Sequence, residues 1–303
     1  MTWILGGLFL FLGGCAGEVG HFPRDDGGGQ ADGVEHGDGR SEGGLWGDLW
    51  GPTEGPSGGP CGDGRRAIVW AHSSDDLYRF DPVTRTVTKV GAFNGDGASM
   101  GFGMTDLAVN AQGQIYGIGR GYVYQVNPNT AAVTRVFGDG KVQGNALTFV
   151  PAGEYESGEV LVVGFSRVVA GHTVSVLAKI DLVAQTQKDI MTIADGCATS
   201  GDVVSVKKLG TYVTLRCLDA PGSDVLARLD VKQGTATRVG AIGFSAVFGL
   251  GFWCDSFYGF TDRAELIAID PKNGSGTLIT NQTGANSFWG AGVTTTAPVG
   301  PIK

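Results

Sequence analysis

An apolar strand, an Asp or Asn, and a Thr-rich strand recur five times between residues 77 and 279. This repeat constrains the fold more than any other feature of the sequence. Within each copy, apolar and polar residues alternate with a period of two, which is typical of a β-strand with one buried face. The Asp-Pro steps supply turn chemistry between the two strands, so each copy predicts a β-hairpin. The anchor residues stand 40 to 54 positions apart at Asp81, Asn127, Asp181, Asp230 and Asp270.

Two further strand-like segments precede each hairpin except the first, which has only one, at residues 67–71. Four strands in a period of this length are the signature of a β-propeller blade. The C-terminal segment 288–295 can supply the missing innermost strand of the first blade. We therefore predict an all-β, five-bladed β-propeller of four-stranded antiparallel blades, closed by N- and C-terminal strands that share one blade. Six or seven blades are the alternative, but the length of the repeat region leaves little room for them.

The first and last hairpins carry the clearest repeat sequences, Leu77-Tyr-Arg-Phe-Asp-Pro and Leu266-Ile-Ala-Ile-Asp-Pro-Lys-Asn-Gly. They resemble bacterial propellers with Leu-Tyr-x-Ile-Asp-Pro-x-Thr-Gly blade repeats, and the resemblance covers residues 66–296. It implies a fold and says little about function, because this scaffold carries both enzymes and binding modules.

The N-terminus begins with an apolar run over residues 3–14 that is too short to span a bilayer of about 30 Å. It fits a signal peptide over residues 1–14. Leu12-Gly-Gly-Cys15-Ala16 resembles the lipobox of bacterial lipoproteins. This resemblance implies that Cys15 is lipidated and that the protein is exported to the cell envelope and anchored, with Ala16 matching the outer-membrane pattern. An ordinary signal peptide with an incidental cysteine is the alternative.

The charge of the chain is concentrated before the repeats. Residues 1–64 hold ten acids and two bases, which accounts for the whole net charge of −8. The Gly- and acid-rich stretch 15–64 predicts a disordered linker, since it cannot bury enough apolar surface to offset its ordering entropy. We place the propeller at 65–297 and a tail at 298–303. The propeller is electrically balanced and has no extended basic patch, which argues against a nucleic-acid partner.

Four cysteines remain after Cys15, and an exported protein matures where disulfides form. In the predicted blade arrangement, Cys197 and Cys217 fall on one face of the fourth blade. Cys61 and Cys254 share the opposite face, across the ring closure. We therefore predict the pairs Cys197–Cys217 and Cys61–Cys254, with metal binding as the alternative.

The candidate ligand residues lie on the innermost strands and in the loops that lead into them. Asp106 and Asp202 stand near the starts of two innermost strands, where they could act as acid and base or cap backbone amides. Asn145, Asn94 and Asp96 belong to loops that we expect around one channel mouth. The oxygens of Asn94 and Asp96 could also contact calcium, although tight-turn chemistry explains them equally.

Two histidines and four aromatic residues are interpreted as structural. The histidine at position 72 is expected on the surface, as is the one at 172. Four aromatic residues occupy period-two positions that are typical of the core between blades, with sugar stacking as the alternative: Trp70, Phe252, Tyr258 and Trp289.

No metalloprotease, serine-hydrolase or nucleotide-binding motif is present in the sequence. We predict no metal site and no cofactor, with calcium as the alternative. The few catalytic residue types favour an anchored binding or interaction module for a protein, a glycan or a small ligand. The alternative is a propeller hydrolase, lyase or cyclotransferase with carboxylates in the central channel. Five-bladed glycosidases and glutaminyl cyclotransferases look similar at blade level, but their catalytic motifs do not match here. A structural component of the envelope is the third possibility.

Overall fold

A computed structural model describes residues 61, 68–96, 101, 103–193 and 196–301. The predicted signal peptide, Cys15, and all of the predicted linker except Cys61 lie outside the described residues. No helix in the described residues is long and apolar enough to cross a membrane.

The described chain is built of β-strands. In chain order these are β1 (Val69–His72), β2 (Asp76–Asp81), β3 (Thr86–Ala92), β4 (Asn94–Gly95), β5 (Met104–Val109), β6 (Ile115–Gly119), β7 (Tyr122–Val126), β8 (Ala132–Phe137), β9 (Ala146–Val150), β10 (Val160–Val169), β11 (His172–Asp181), β12 (Thr186–Ile193), β13 (Cys197–Val206), β14 (Gly210–Cys217), β15 (Asp224–Asp230), β16 (Thr235–Ala241), β17 (Val247–Trp253), β18 (Ser256–Thr261), β19 (Leu266–Ile269), β20 (Gly276–Thr280) and β21 (Gly290–Gly292).

These strands form five antiparallel sheets, the blades of a five-bladed β-propeller, as predicted. From the innermost strand outward, the blades are β21-β1-β2-β3, β5-β6-β7-β8, β9-β10-β11-β12, β13-β14-β15-β16 and β17-β18-β19-β20. In the first blade β21 pairs with β1, with Trp70 opposite Gly292, so the two ends of the ring share one sheet. This closure removes the exposed edges that an open array of blades would have.

The alternating strands define two faces of the propeller. We call the face from which the chain enters each innermost strand the upper face; it also carries the loops between second and third strands. The lower face carries the other hairpin loops of each blade. Connections in every blade follow this pattern because all successive strand pairs are antiparallel.

The anchor residues of the repeat form the hairpin turns. The Oδ1 atom of Asp81 accepts hydrogen bonds from the backbone N–H of Val83 and Thr84, at 2.9 and 3.2 Å. Asn127 and Asp181 make the same pair of bonds to the residues two and three positions later. A side-chain oxygen that mimics a backbone acceptor closes the turn locally, which explains why Asp or Asn recurs at this point.

The core lies between neighbouring blades. The seam between the first and fifth blades is aromatic: the Phe80 ring lies 4.9 Å from that of Tyr258 and 5.8 Å from that of Phe260, centroid to centroid. Phe252, Tyr258 and Trp70 are buried as predicted, but Trp289 is not: its exposed fraction is 42%. Its position at the start of β21 places it on the upper face, outside the seam that the period-two pattern predicted.

The loop into the second blade differs from its prediction. Asn94 and Gly95 form the short strand β4, which runs parallel to β8 along the outer edge of that blade. The Asn94 amide donates to the carbonyl oxygens of Ala92 and Thr130, and the Asp96 carboxylate accepts from the backbone N–H of Arg135. These bonds hold Asn94 and Asp96 at the outer edge, so their predicted position at the channel mouth is wrong.

Candidate functional site

Two carboxyl groups occupy the axis of the propeller. Asp106 on β5 and Asp202 on β13 both have an exposed fraction of 0%. The Asp106 carboxyl accepts hydrogen bonds from the backbone N–H of Leu107 at 2.8 Å and of Leu147, on the innermost strand of the third blade, at 2.5 Å. The structure thus brings together the two acids that the sequence singled out and directs them at backbone amides.

Asp202 continues this network to the remaining blades. Its Oδ2 atom accepts hydrogen bonds from the backbone N–H of Leu250 at 2.5 Å and of Ala291 at 3.2 Å. Those residues lie on the innermost strands of the fifth and first blades. Asp106 links the second blade to the third, and Asp202 links the fourth to the fifth and the first. Together, the two side chains hold all five innermost strands, and we call them the axial acid pair.

Both members of the axial acid pair have a raised pKa. Burial raises the pKa of both carboxyls well above their ordinary value, because a charged carboxylate loses its hydration there. The charge of Asp202 and a hydrogen bond to it raise the pKa of Asp106 further. The Oδ1 atom of Asp202 has no other hydrogen-bond partner among the described residues. A protonated Asp106 supplies the donor that this oxygen requires.

A buried histidine lies beside the pair. His72, at the upper end of β1, has an exposed fraction of 0% and is therefore not the surface residue that was predicted. Its Nδ1 atom lies 2.7 Å from the carbonyl oxygen of Ser73, which identifies Nδ1–H as the donor. Its Nε2 atom lies 3.9 Å from Oδ1 of Asp106. Burial lowers the pKa of His72 to about 4, so the imidazole is neutral at pH 7.

Gly290 on β21 makes room for this arrangement. A Cβ atom at this position would collide with both Oδ1 of Asp106 and Nε2 of His72. The innermost strand of the first blade reads Gly290-Ala-Gly292, so a side chain on the second strand can reach the axis. This small-residue strand is the signal that could have indicated a buried His72.

The C-terminal segment closes the axis on the lower face. The Thr294 hydroxyl donates to the carbonyl oxygen of Asn110 at 2.9 Å, and the backbone N–H of Lys207 donates to that of Thr295 at 2.8 Å. The Glu159 carboxylate accepts from the backbone N–H of Ala111 and from the Thr295 hydroxyl. These bonds join the second, third and fourth blades across the lower end of the axis.

Both predicted cysteine pairs are joined. Cys197 and Cys217 are opposite one another on β13 and β14, with a disulfide and a Cα–Cα distance of 4.1 Å, which confirms that pair. A second disulfide joins Cys61 to Cys254, with a Cα–Cα distance of 5.6 Å. Beyond the predicted end of the domain at 297, the backbone N–H of Gly300 donates to the Cys254 carbonyl oxygen at 2.7 Å. The predicted tail, residues 298–303, is therefore partly bound to the fifth blade.

A cavity of about 400 Å³ lies on the upper face beside the third blade. Its lining includes Asn145, Ser166 and Arg167. The Arg167 guanidinium forms an ion pair with Asp189 at 2.6 Å, whereas the amide of Asn145 makes no side-chain hydrogen bond with the described residues. Asn145 is thus the one loop candidate that the structure leaves facing a cavity on the predicted face.

The described residues contain no group of three or more His, Cys, Asp or Glu side chains placed to hold a metal ion. In the axial acid pair and His72, three carboxyl oxygens accept hydrogen bonds from backbone N–H groups, and Nε2 of His72 makes no hydrogen bond with the described residues.

Comparisons with known proteins bear little on function. No protein-family model and no curated protein sequence matches the chain. Among solved structures, a chain of a nidogen–laminin complex is 7% identical with a TM-score of 0.46, covering 76% of this chain and 99% of its own. A symmetrical protein of de novo evolutionary emergence is 15% identical with a TM-score of 0.45, covering 77% and 99%. TolB from Acinetobacter baumannii is 14% identical with a TM-score of 0.40, covering 71% of this chain and 52% of its own. At these values we draw no functional argument from the similarity.

Proposed function

We propose that the protein is an exported, lipid-anchored binding module that presents its upper face to a protein, a glycan or a small ligand. The observation that carries this proposal is the exposed indole of Trp289. Its backbone N–H donates to the His72 carbonyl oxygen at 2.8 Å, so the residue lies beside His72 at the upper end of β1. An aromatic ring in this position offers a stacking surface for a sugar ring or an anchor for a protein partner.

The geometry favours binding over catalysis. An acid and a base that act on a substrate must reach it, and both axial acids are fully buried. Three of their four oxygens are occupied by backbone N–H groups. The raised pKa of Asp106, which could suggest a catalytic acid, follows from the burial that also keeps a substrate away.

Export and anchoring are supported by different observations. The two disulfides are typical of an oxidising compartment. Cys15 follows an apolar run of signal-peptide length and stands in a lipobox-like sequence. Metabolic labelling of the expressing cell with radioactive palmitate tests this part. We expect label in the protein and none in a Cys15→Ala variant, whereas an unlabelled chain would overturn the anchor.

Thermal melting of the full chain with a panel of cell-wall fragments and oligosaccharides, for example N-acetylglucosamine oligomers, tests the upper face. A ligand present at a hundred times its dissociation constant adds about 2.7 kcal/mol of stability, which is visible as a rise in Tm. We expect Trp289→Ala to abolish that rise.

Leu278→Ala is the matched control, because Leu278 is similarly exposed but lies on an outer strand of the fifth blade. A ligand that shifts Tm equally in both variants would contradict binding at Trp289.

A further inference from the structure

A second cavity opens on the lower face, away from Trp289 and Asn145. Its volume is about 560 Å³, within the range of small-molecule sites in proteins. It lies between the third and fourth blades. Glu154 comes from the β9–β10 loop of the third blade, and the other lining residues come from the strands and turns of the fourth blade. The charged members of the lining are Lys208, Arg228, Glu154 and Asp230.

In the part of the chain that the structure describes, the two cations of this cavity have no partner within ion-pair distance. Among the described residues, neither Lys208 nor Arg228 takes part in an ion pair or a side-chain hydrogen bond. The Arg228 guanidinium lies over Gly210, where Nε and Nη2 are 3.4 Å from the position that a Cβ would take. Gly210 has a φ of +103°, a conformation that favours glycine, so the turn leaves space for the guanidinium.

The two carboxylates of the cavity differ in their hydrogen bonds. Asp230 is engaged by its own hairpin turn, since its Oδ1 atom accepts from the backbone N–H of Gln233 at 2.8 Å. Glu154 is half-buried, and its carboxylate makes no hydrogen bond or ion pair with the described residues. Burial raises the pKa of Glu154 while the nearby charge of Arg228 opposes that rise. Glu154 is thus an acceptor without a hydrogen bond, close enough to Arg228 for the charge of the guanidinium to act on its pKa.

We propose that the lower-face cavity binds a small zwitterion, a free α-amino acid or a short peptide, with its carboxylate on Arg228 and Lys208 and its ammonium on Glu154. Arginine binds carboxylates through two parallel hydrogen bonds, which gives the anionic end a defined place. A ligand that is only anionic would meet the Glu154 carboxylate, and one that is only cationic would meet Arg228. Only a molecule with both charges satisfies both sides of the cavity.

Isothermal titration calorimetry of the full chain at pH 7, with L-alanine and with L-alanyl-L-alanine, tests this proposal. The unaltered protein should bind the dipeptide saturably. N-acetylation removes the ammonium and C-terminal amidation removes the carboxylate, so each capped dipeptide should bind about tenfold or more weakly. Arg228→Gln and Glu154→Gln should each weaken binding by a similar factor.

Arg263→Gln is the matched control, because Arg263 is exposed in a turn on the upper face of the fifth blade. It should leave the dissociation constant unchanged. Capped dipeptides that bind as tightly as L-alanyl-L-alanine would overturn the proposal even if a variant failed to fold. Absence of saturable binding by both L-alanine and L-alanyl-L-alanine would overturn it as well. Neither result would bear on the ligand of the upper face.

Discussion

At the scale of single residues, the hairpin repeat depends on one backbone conformation. Four positions after each anchor, at Arg85, Ala131, Gln185, Gly234 and Gly274, the backbone has a positive φ between 55° and 76°. Only the last two copies place glycine there, where this conformation carries no Cβ penalty. The other three copies place Arg85, Ala131 and Gln185 there and carry that penalty.

We expect Gly234→Ala to destabilise the protein by about 1 kcal/mol, since L-residues disfavour a left-handed conformation. A Cβ at Gly234 meets no atom within 4 Å, so the cost is one of backbone conformation alone. Gly158→Ala is the matched control, because a Cβ there also meets nothing and Gly158 has no positive φ. Urea unfolding measures both. Equal effects of the two substitutions would contradict the explanation.

His72 makes a second prediction at this scale. Its pKa is about 4 in the folded protein against an ordinary 6.5, so only the unfolded chain takes up its proton between these values. Its contribution to the free energy of unfolding is present above pH 6.5 and is lost as pH falls to 4. The loss amounts to about 3 kcal/mol.

His72→Gln tests this linkage. Relative to the wild-type protein, the variant should gain stability as pH is lowered from 6.5 to 4, as measured by urea unfolding at each pH. A difference between the two proteins that does not vary with pH would show that His72 is not buried in its neutral form.

At the scale of strands and loops, the two disulfides constrain very different lengths of chain. Cys197–Cys217 joins residues 20 apart, and Cys61–Cys254 joins residues 193 apart. Because the chain entropy removed from the unfolded state grows with loop length, loss of the longer bridge should cost about 2 kcal/mol more than loss of the shorter one.

Urea unfolding of Cys61→Ser/Cys254→Ser and of Cys197→Ser/Cys217→Ser measures this difference. The two double variants are controls for one another, since each removes two sulfurs and one bridge. A greater loss of stability in the Cys197/Cys217 variant would mean that native-state contacts outweigh loop length.

Local signals account for the elements that the sequence predicted. The Asp-Pro turns and alternating strands are encoded within about fifteen residues, so the hairpins and their number could be read directly. The positions of His72, Trp289 and β4 depend on contacts between segments far apart in the chain. The local sequence around Asn94 is typical of a ligand-binding loop, whereas in the structure Asn94 pairs with the edge strand β8. No local sequence pattern predicts the hydrogen bond between Gly300 and Cys254 either.

At the scale of the whole molecule, the side chains at the axis hold the five blades together. The axial acid pair reaches the innermost strands of all five blades, and the C-terminal segment crosses the lower end of the axis. Buried polar groups stabilise a ring only if they are hydrogen-bonded, and backbone N–H groups and the hydrogen bond between the two carboxyls meet that need for Asp106 and Asp202. Both proposed ligand sites, at Trp289 and in the lower-face cavity, lie on the outer surfaces of the propeller.

The most direct test of this arrangement is the free energy of unfolding as pH rises above 3.8, the ordinary pKa of the two carboxyls. A carboxyl whose pKa is raised in the folded state stabilises most at low pH, and that contribution declines as pH rises towards the folded pKa. The wild-type protein should therefore lose more stability over this range than Asp106→Asn, because the variant keeps only one carboxyl with a raised pKa. Asp106→Asn should be less stable than the wild-type protein at the low end of this range and should decline less steeply. The same pH dependence in both proteins would contradict a shared proton at the axis.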